Sequence, residues 1–118
     1  MSCTVLVVED DRDLRETVAD VLRDEGYAVE EAADGQVALE KLQSGLRPCL
    51  VLLDLMMPVL SGWEVIARLQ EKELRVPLCV VSAAAERAPS HVGCVLKKPI
   101  EMQHLLDVVA QHCGGSCA

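Results

Sequence analysis

The chain has 118 residues, a formal net charge of −8 and 51% hydrophobic residues. This length allows one domain with a hydrophobic core but not two comfortable ones, so we expect a single domain over residues 1–118. The basic residues are scattered, which argues against binding to nucleic acid or to an anionic membrane. The amino terminus has no basic segment and soon becomes acidic, so we predict neither a signal peptide nor a membrane span and expect a cytoplasmic protein.

The cysteines of the sequence are expected to be free thiols. Most lie in or beside apolar runs, where a thiol behaves as a small hydrophobic group. The sequence has no CxxC pair and no grouping of cysteine and histidine with the spacing of a zinc site. The six residues are Cys3, Cys49, Cys79, Cys94, Cys113 and Cys117.

Five short apolar runs alternate with amphipathic stretches, a pattern typical of repeated strand, helix, strand units. The runs predict β-strands over residues 4–8, 28–31, 50–53, 78–81 and 94–97, with helices in the intervals. Asp34 is the expected N-cap of the second helix, and Ser61 with Glu64 predicts a capping box at the start of the third.

The fourth interval is the exception to this pattern. Residues 83–92 are few and include Pro89, so they predict at most one or two helical turns. The last helix is expected after Pro99, and residues 113–118 are expected to form a frayed tail.

Polar residues stand where each of four predicted strands ends. Glu9 and Asp10 follow the first strand, Asp54 the third, Ser82 the fourth and Lys98 the fifth. Parallel strands joined by helices place all their carboxyl ends at one edge of the sheet, where ligands bind in such folds. Because clustered carboxylates repel one another, the arrangement predicts a compensating hard cation, for which Mg²⁺ is suited.

With its charge offset by the cation, the carboxylate of Asp54 can act as a nucleophile toward phosphorus. Lys98 can pair with Asp54 and then with a phosphoryl oxygen, and the Ser82 hydroxyl can donate a hydrogen bond to another phosphoryl oxygen. The residues therefore predict a site that accepts a phosphoryl group.

The segments VLVVEDD, LVLLDLMMPVLSGWE, VVSA and LKKPI occur in this order, and together they resemble the receiver domain of bacterial two-component response regulators along nearly the whole chain. The resemblance implies a flavodoxin-like (βα)5 fold, doubly wound on a parallel sheet of strand order 2-1-3-4-5, here with a shortened fourth helix. It also implies Mg²⁺-dependent phosphorylation of Asp54 by a sensor histidine kinase, with Ser82 and Lys98 as the partners of the phosphoryl group.

The resemblance further implies a metal site. Asp10 and Asp54 would bind Mg²⁺ directly, Met56 would offer its backbone carbonyl, and Glu9 would act through a metal-bound water. The family also commonly has a cis peptide between the lysine and the proline that follows it, here Lys98 and Pro99.

The sequence departs from the family pattern in two places. Val95 stands where an aromatic residue usually lies, three positions before the active lysine. The interval between Ser82 and Lys98 is also several residues shorter than is typical. Both departures affect the part of the domain that normally transmits the signal.

Three functions are compatible with these residues. The first is a stand-alone phosphorylation switch, not an enzyme toward other substrates, that acts on a downstream protein partner or a phosphotransfer protein. The second is a degenerate receiver that binds proteins independently of phosphorylation. The third is a phosphatase similar to haloacid dehalogenases, although such enzymes usually have a second aspartate where this chain has Met56.

Overall fold

A computed structural model describes residues 3–113 of the chain. Five parallel strands form one sheet in the order β2-β1-β3-β4-β5, so the predicted flavodoxin-like fold and strand order are confirmed. In chain order, the elements within these residues are β1 (Thr4–Val8), α1 (Arg12–Asp24), β2 (Ala28–Ala32), α2 (Gly35–Gln43), β3 (Leu50–Leu53), α3 (Gly62–Glu71), β4 (Leu78–Ser82), the 3₁₀ turn η1 (Ala85–Arg87), β5 (Val95–Lys97) and α4 (Met102–Cys113).

The sheet is buried on both faces because its central strands are continuous aliphatic runs. Successive side chains of a strand point to opposite faces. On β1, Val5 and Val7 pack with α1 and α4, whereas Leu6 and Val8 pack with α2 and α3. Two aliphatic cores therefore hold β1 and β3 in place, and the carboxyl ends of these two strands are rigid supports for the residues that follow them.

The helices begin at the residues that the sequence indicates. The Asp11 carboxylate caps α1 by accepting hydrogen bonds from two backbone amides of its first turn, and the Asp34 carboxylate caps α2 by accepting one from the Val37 amide. Ser61 and Glu64 form the predicted capping box of α3, in which each side chain accepts a hydrogen bond from the other's backbone amide.

The fourth crossover is as short as its sequence predicts, with η1 as its only helical turn within the described residues. Trp63 of α3 holds this turn in place. Its indole Nε1 donates a hydrogen bond of 3.0 Å to the carbonyl of Arg87, and the Arg87 guanidinium lies 4.8 Å from the centre of the Trp63 ring. Trp63 is half-buried, and both of these contacts are with η1.

Several boundaries differ from those predicted. The strands β2 and β4 each continue one residue further, to Ala32 and Ser82, and β5 begins at Val95. The chain does not fray from residue 113, because Cys113 is the last residue of α4 and is buried. The remainder of the expected tail, residues 114–118, lies outside the described residues.

The expectation of free thiols is wrong for the five cysteines that the structure describes. Cys79 is paired with Cys94, and the sulfur of Cys49 contacts those of both Cys3 and Cys113. The sequence argument missed these contacts because the cysteines are distant along the chain, and parallel strand pairing brings them together at the ends of neighbouring strands. Cys117 lies outside the described residues.

Candidate functional site

The carboxyl ends of β1 and β3 bring three acidic residues together. The two strands are neighbours, with Val8 opposite Leu53, so Glu9 and Asp54 follow at the same level of the sheet. Glu9 and Asp54 are each only 5% exposed, while Asp10 is exposed. One carboxylate oxygen of each residue lies within 4.8 Å of the others. The predicted acidic cluster is therefore present at this edge.

Lys98 enters the same cluster from the end of β5. Its Nζ lies 2.6 Å from Oε1 of Glu9 and 3.2 Å from Oδ2 of Asp54. Its backbone amide donates a hydrogen bond to the Ser82 carbonyl and so extends the pairing of β4 with β5. The peptide bond between Lys98 and Pro99 is cis, as the family resemblance implies. The adjacent Lys97 is exposed, so only Lys98 enters the cluster.

Burial and charge shift the protonation of this cluster. Burial raises the pKa of Glu9 above its ordinary value, and this effect exceeds the lowering by the hydrogen bond from Lys98. Burial alone would lower the pKa of Lys98, but the hydrogen bond to Glu9 and the charges of Asp54 and Glu9 outweigh it and raise the pKa. Lys98 is therefore a firmly protonated partner for the buried carboxylates.

One ammonium group does not balance three carboxylates. When all four groups are ionised, three charges of −1 and one of +1 leave a formal charge of −2. The donors are carboxylate oxygens, which hard divalent cations prefer. The residues present therefore fit a Mg²⁺ ion, with Glu9, Asp10 and Asp54 as the side chains that could hold it.

Backbone amides fix the orientation of the two buried carboxylates. The Met56 amide donates a hydrogen bond of 3.2 Å to Oδ1 of Asp54, and the Asp11 amide donates one of 3.1 Å to Oε2 of Glu9. Each carboxylate thus has one oxygen held by the backbone and the other directed at Lys98. Met56 itself is 56% exposed.

Ser82 lies at the carboxyl end of β4 and is completely buried. Its hydroxyl oxygen accepts a hydrogen bond of 3.1 Å from the Ala84 amide. This bond does not use the hydroxyl's own hydrogen, so Ser82 keeps the capacity to donate. Its backbone is joined to Lys98, which places it at the same edge of the sheet.

Gly62 is a site residue that the sequence argument missed. Its amide donates a hydrogen bond of 2.9 Å to the carbonyl of Leu55. A side-chain carbon at this position would collide with backbone atoms of Asp54 and Leu55. Glycine therefore allows the first turn of α3 to press against the segment that carries Asp54. The sequence did contain a sign of this role, because a glycine directly after the N-cap serine stands where a residue that favours helices would be expected.

Comparison with known proteins agrees with this fold. A family model described as the response regulator receiver domain matches residues 5–110. The chain belongs to this family.

Curated relatives include the transcriptional regulatory protein DltR of Streptococcus agalactiae, 37% identical over 108 residues, which are 86% of this chain and 48% of that protein. The response regulator MprA of Mycobacterium ulcerans is 38% identical over 112 residues, 90% of this chain and 48% of that protein. The chain thus spans about half the length of these relatives.

Solved structures with the same fold include a response regulator protein and a chemotaxis protein. TrrA of Thermotoga maritima, solved in complex with Mg(2+)-BeF, has a TM-score of 0.82 and 28% identity, covering 93% of this chain and 98% of that one. The chemotaxis protein CheY4 of Vibrio cholerae has a TM-score of 0.77 and 32% identity, covering 94% and 98%. Among residues 3–113, no helix has the length and apolar character needed to cross a membrane.

Proposed function

We propose that this chain is a cytoplasmic phosphorylation switch in which a sensor histidine kinase phosphorylates Asp54 in a Mg²⁺-dependent reaction. The observation that carries the proposal is the position of Lys98. Its Nζ contacts the buried carboxylates of both Glu9 and Asp54, from elements that are distant in the sequence. Membership of the receiver family supports the same class of reaction.

Asp10 and Asp54 are the proposed direct ligands of Mg²⁺, together with the backbone carbonyl of Met56, while Glu9 acts through a bound water. When bound, the ion offsets the excess negative charge of the cluster and the charge of the incoming phosphoryl group. The proximity of the three carboxylates supports this assignment, as does the Mg(2+)-BeF complex of the related TrrA.

The proposed reaction forms a bond between a carboxylate oxygen of Asp54 and phosphorus while the bond from phosphorus to the donor breaks. Lys98 then exchanges its contact with Asp54 for one with a phosphoryl oxygen. Ser82 donates its hydroxyl hydrogen to another phosphoryl oxygen, which draws the end of β4 toward the site. The new contacts favour a second conformation of the surface around β4 and η1.

This surface is the proposed binding site for the partner that reads the signal, a downstream protein or a phosphotransfer protein. The formal net charge of −8 and the scattered basic residues support a protein partner rather than nucleic acid for this chain.

Intact-mass measurement after incubation with Mg²⁺ and a small phosphodonor tests the proposal. The wild-type protein is expected to gain one phosphoryl group, and Asp54→Asn is expected to gain none. Asp20→Asn is the matched control, because Asp20 is an exposed aspartate of α1 that does not belong to the acidic cluster. An adduct that persists in Asp54→Asn, or that forms equally after chelation of Mg²⁺, would contradict the proposal.

One observation favours the second candidate, a phosphorylation-independent binding module. Val95 is 40% exposed, and η1 has only three residues, so the usual aromatic switch and the usual fourth helix are both missing from the described residues. The two candidates differ in one measurement: a switch binds its partner with an affinity that changes when Asp54 is phosphorylated, whereas a passive module binds equally in both states.

A further inference from the structure

A second cluster of chemically active side chains lies at the opposite edge of the sheet. Cys3 directly precedes β1, Cys49 directly precedes β3, and Cys113 ends α4. From Cys3 to Glu9 the chain runs for six residues, about 20 Å at the rise of a β-strand. The cysteine cluster is therefore separate from the acidic cluster at the carboxyl edge.

The fold holds these three residues together through its backbone. The Cys49 amide donates a hydrogen bond of 2.8 Å to the Thr4 carbonyl, which ties the first residues of β1 and β3 together. The Cα atom of Cys49 lies 6.0 Å from that of Cys3 and 5.8 Å from that of Cys113. The convergence is thus set by strand pairing and by the docking of α4, rather than by flexible side chains alone.

The three sulfur atoms meet at one point. They all lie within 4.8 Å of one another, and Cys49 contacts both of the others. A sulfur atom forms only one disulfide bond, so the two contacts of Cys49 cannot both be disulfides. In the reduced form the Cα separations of 6.0 and 5.8 Å allow the three sulfurs to take the spacing of about 4 Å that bonds of about 2.3 Å from sulfur to one shared metal ion require.

The surroundings of the cluster also suit a metal ion. Cys3 and Cys113 are buried in the core between the sheet, α1 and α4, while Cys49 is half-buried and gives access from solvent. Thiolates in an apolar setting select soft ions such as Cu⁺ and Zn²⁺ over Mg²⁺. Burial of two of the three ligands keeps competing water from most of the ion's surroundings.

We propose that Cys3, Cys49 and Cys113 in their reduced form bind one thiophilic metal ion of the Cu⁺ or Zn²⁺ class. Binding releases protons from the thiols, because the thiolate is the ligand. Three thiolates satisfy Cu⁺ without further ligands, whereas Zn²⁺ takes a fourth ligand. The bound ion joins the end of α4 to the amino ends of β1 and β3.

Competition with a chromophoric chelator, under anaerobic conditions and after phosphine reduction, tests the site with Zn²⁺ and Cu⁺ as separate probes. All variants carry Cys117→Ser so that this cysteine does not contribute. We expect one ion per chain and proton release on binding. We also expect at least about tenfold weaker binding in both Cys3→Ala and Cys49→Ala. Whichever ion binds more tightly identifies the member of the class.

Cys79→Ala is the matched control, because Cys79 is as fully buried as Cys3 but belongs to the other cysteine pair. It is expected to bind the ion like the parent protein, and Asp54→Asn is expected to do the same. Thermal unfolding without metal identifies any variant that fails to fold, and the half-buried Cys49 provides a second position if Cys3→Ala fails. Absence of binding, or equal binding by the Cys49→Ala and Cys79→Ala variants, would overturn the proposal.

Discussion

At the scale of single residues, the same site favours the neutral form of Glu9 and the charged form of Lys98. Lys98 gains more from its two carboxylate partners than it loses on burial, so its pKa is raised. Glu9 loses more on burial than it gains from Lys98, so its pKa is raised as well. For Lys98 this stabilises the charged form, and for Glu9 it stabilises the neutral form.

The upward shift of the Glu9 pKa leads to a prediction about the stability of the fold. A carboxyl whose folded-state pKa lies above its unfolded value stabilises the fold fully below the unfolded pKa, and this contribution is lost as pH rises through the folded pKa. At neutral pH the ionised Glu9 therefore destabilises the metal-free protein. We expect Glu9→Gln, which keeps an acceptor for Lys98, to raise the free energy of unfolding at about pH 7 and to change it little at about pH 4.

Urea unfolding of metal-free protein at both pH values measures this effect. Glu16→Gln is the control, because Glu16 is an exposed glutamate whose pKa is lowered by its hydrogen bond with Arg12. The control is expected to gain no stability at neutral pH. A Glu9→Gln variant that is less stable than wild type at neutral pH would show that the contact with Lys98 outweighs the burial of the charge.

At the scale of elements, the contact between α3 and the segment after β3 decides where Asp54 lies. The capping box of Ser61 and Glu64 starts α3, and Gly62 lets that start approach the backbone of Asp54. The helix start therefore packs against the backbone that carries the Asp54 carboxylate. This is a packing role, and it depends on the absence of a side chain at one position.

Gly62→Ala tests this role. The added carbon meets backbone atoms, which cannot move aside as a flexible side chain would, so we expect a loss of about 1–3 kcal/mol in the free energy of unfolding. Gly93→Ala is the control, because no atom lies within 4 Å of the position that a side-chain carbon would take there. Denaturant unfolding of both variants provides the measurement, and equal stability of the two would contradict the packing role.

At the scale of the whole molecule, the excess negative charge at the carboxyl edge links ion binding to folding. Three acidic residues are brought together only when β1 and β3 pair, so the folded chain binds a divalent cation better than the unfolded chain does. An ion that binds the folded state alone stabilises the fold by mass action.

We therefore expect Mg²⁺ at ten times its dissociation constant to raise the free energy of unfolding by about 1.4 kcal/mol. Asp54→Asn is expected to reduce this gain sharply, while Asp20→Asn keeps it. Denaturant unfolding with and without Mg²⁺, at constant ionic strength, separates binding from screening. An equal gain in wild type and Asp54→Asn would place the ion elsewhere.

The residues at the carboxyl edge of the sheet could be predicted because the prediction depends only on short segments of the sequence. Four of the five apolar runs end at a polar residue, and the alternation of strands and helices brings those ends to one side of the sheet. The proximity of Asp54 and Lys98 followed from this pattern alone. The short fourth crossover was equally predictable, since Pro89 and the small number of residues leave no room for a full helix.

The amino edge could not be predicted in this way. The cluster of Cys3, Cys49 and Cys113 depends on which strands are neighbours and on the angle at which α4 returns to the sheet. The contact of Trp63 with η1 and the close approach of Gly62 to Asp54 depend on the same packing. The local sequences around these residues do not indicate which of them will be in contact.

The sequence by itself thus determined the type and order of the elements and the residues at the carboxyl ends of the strands, because periodicity and chain connectivity are properties of short segments. The tertiary structure alone decided which cysteines meet and how far burial shifts the pKa of Glu9. The physical reason is that sulfur contacts and desolvation depend on the distances between distant segments, which exist only once the helices have packed on the sheet.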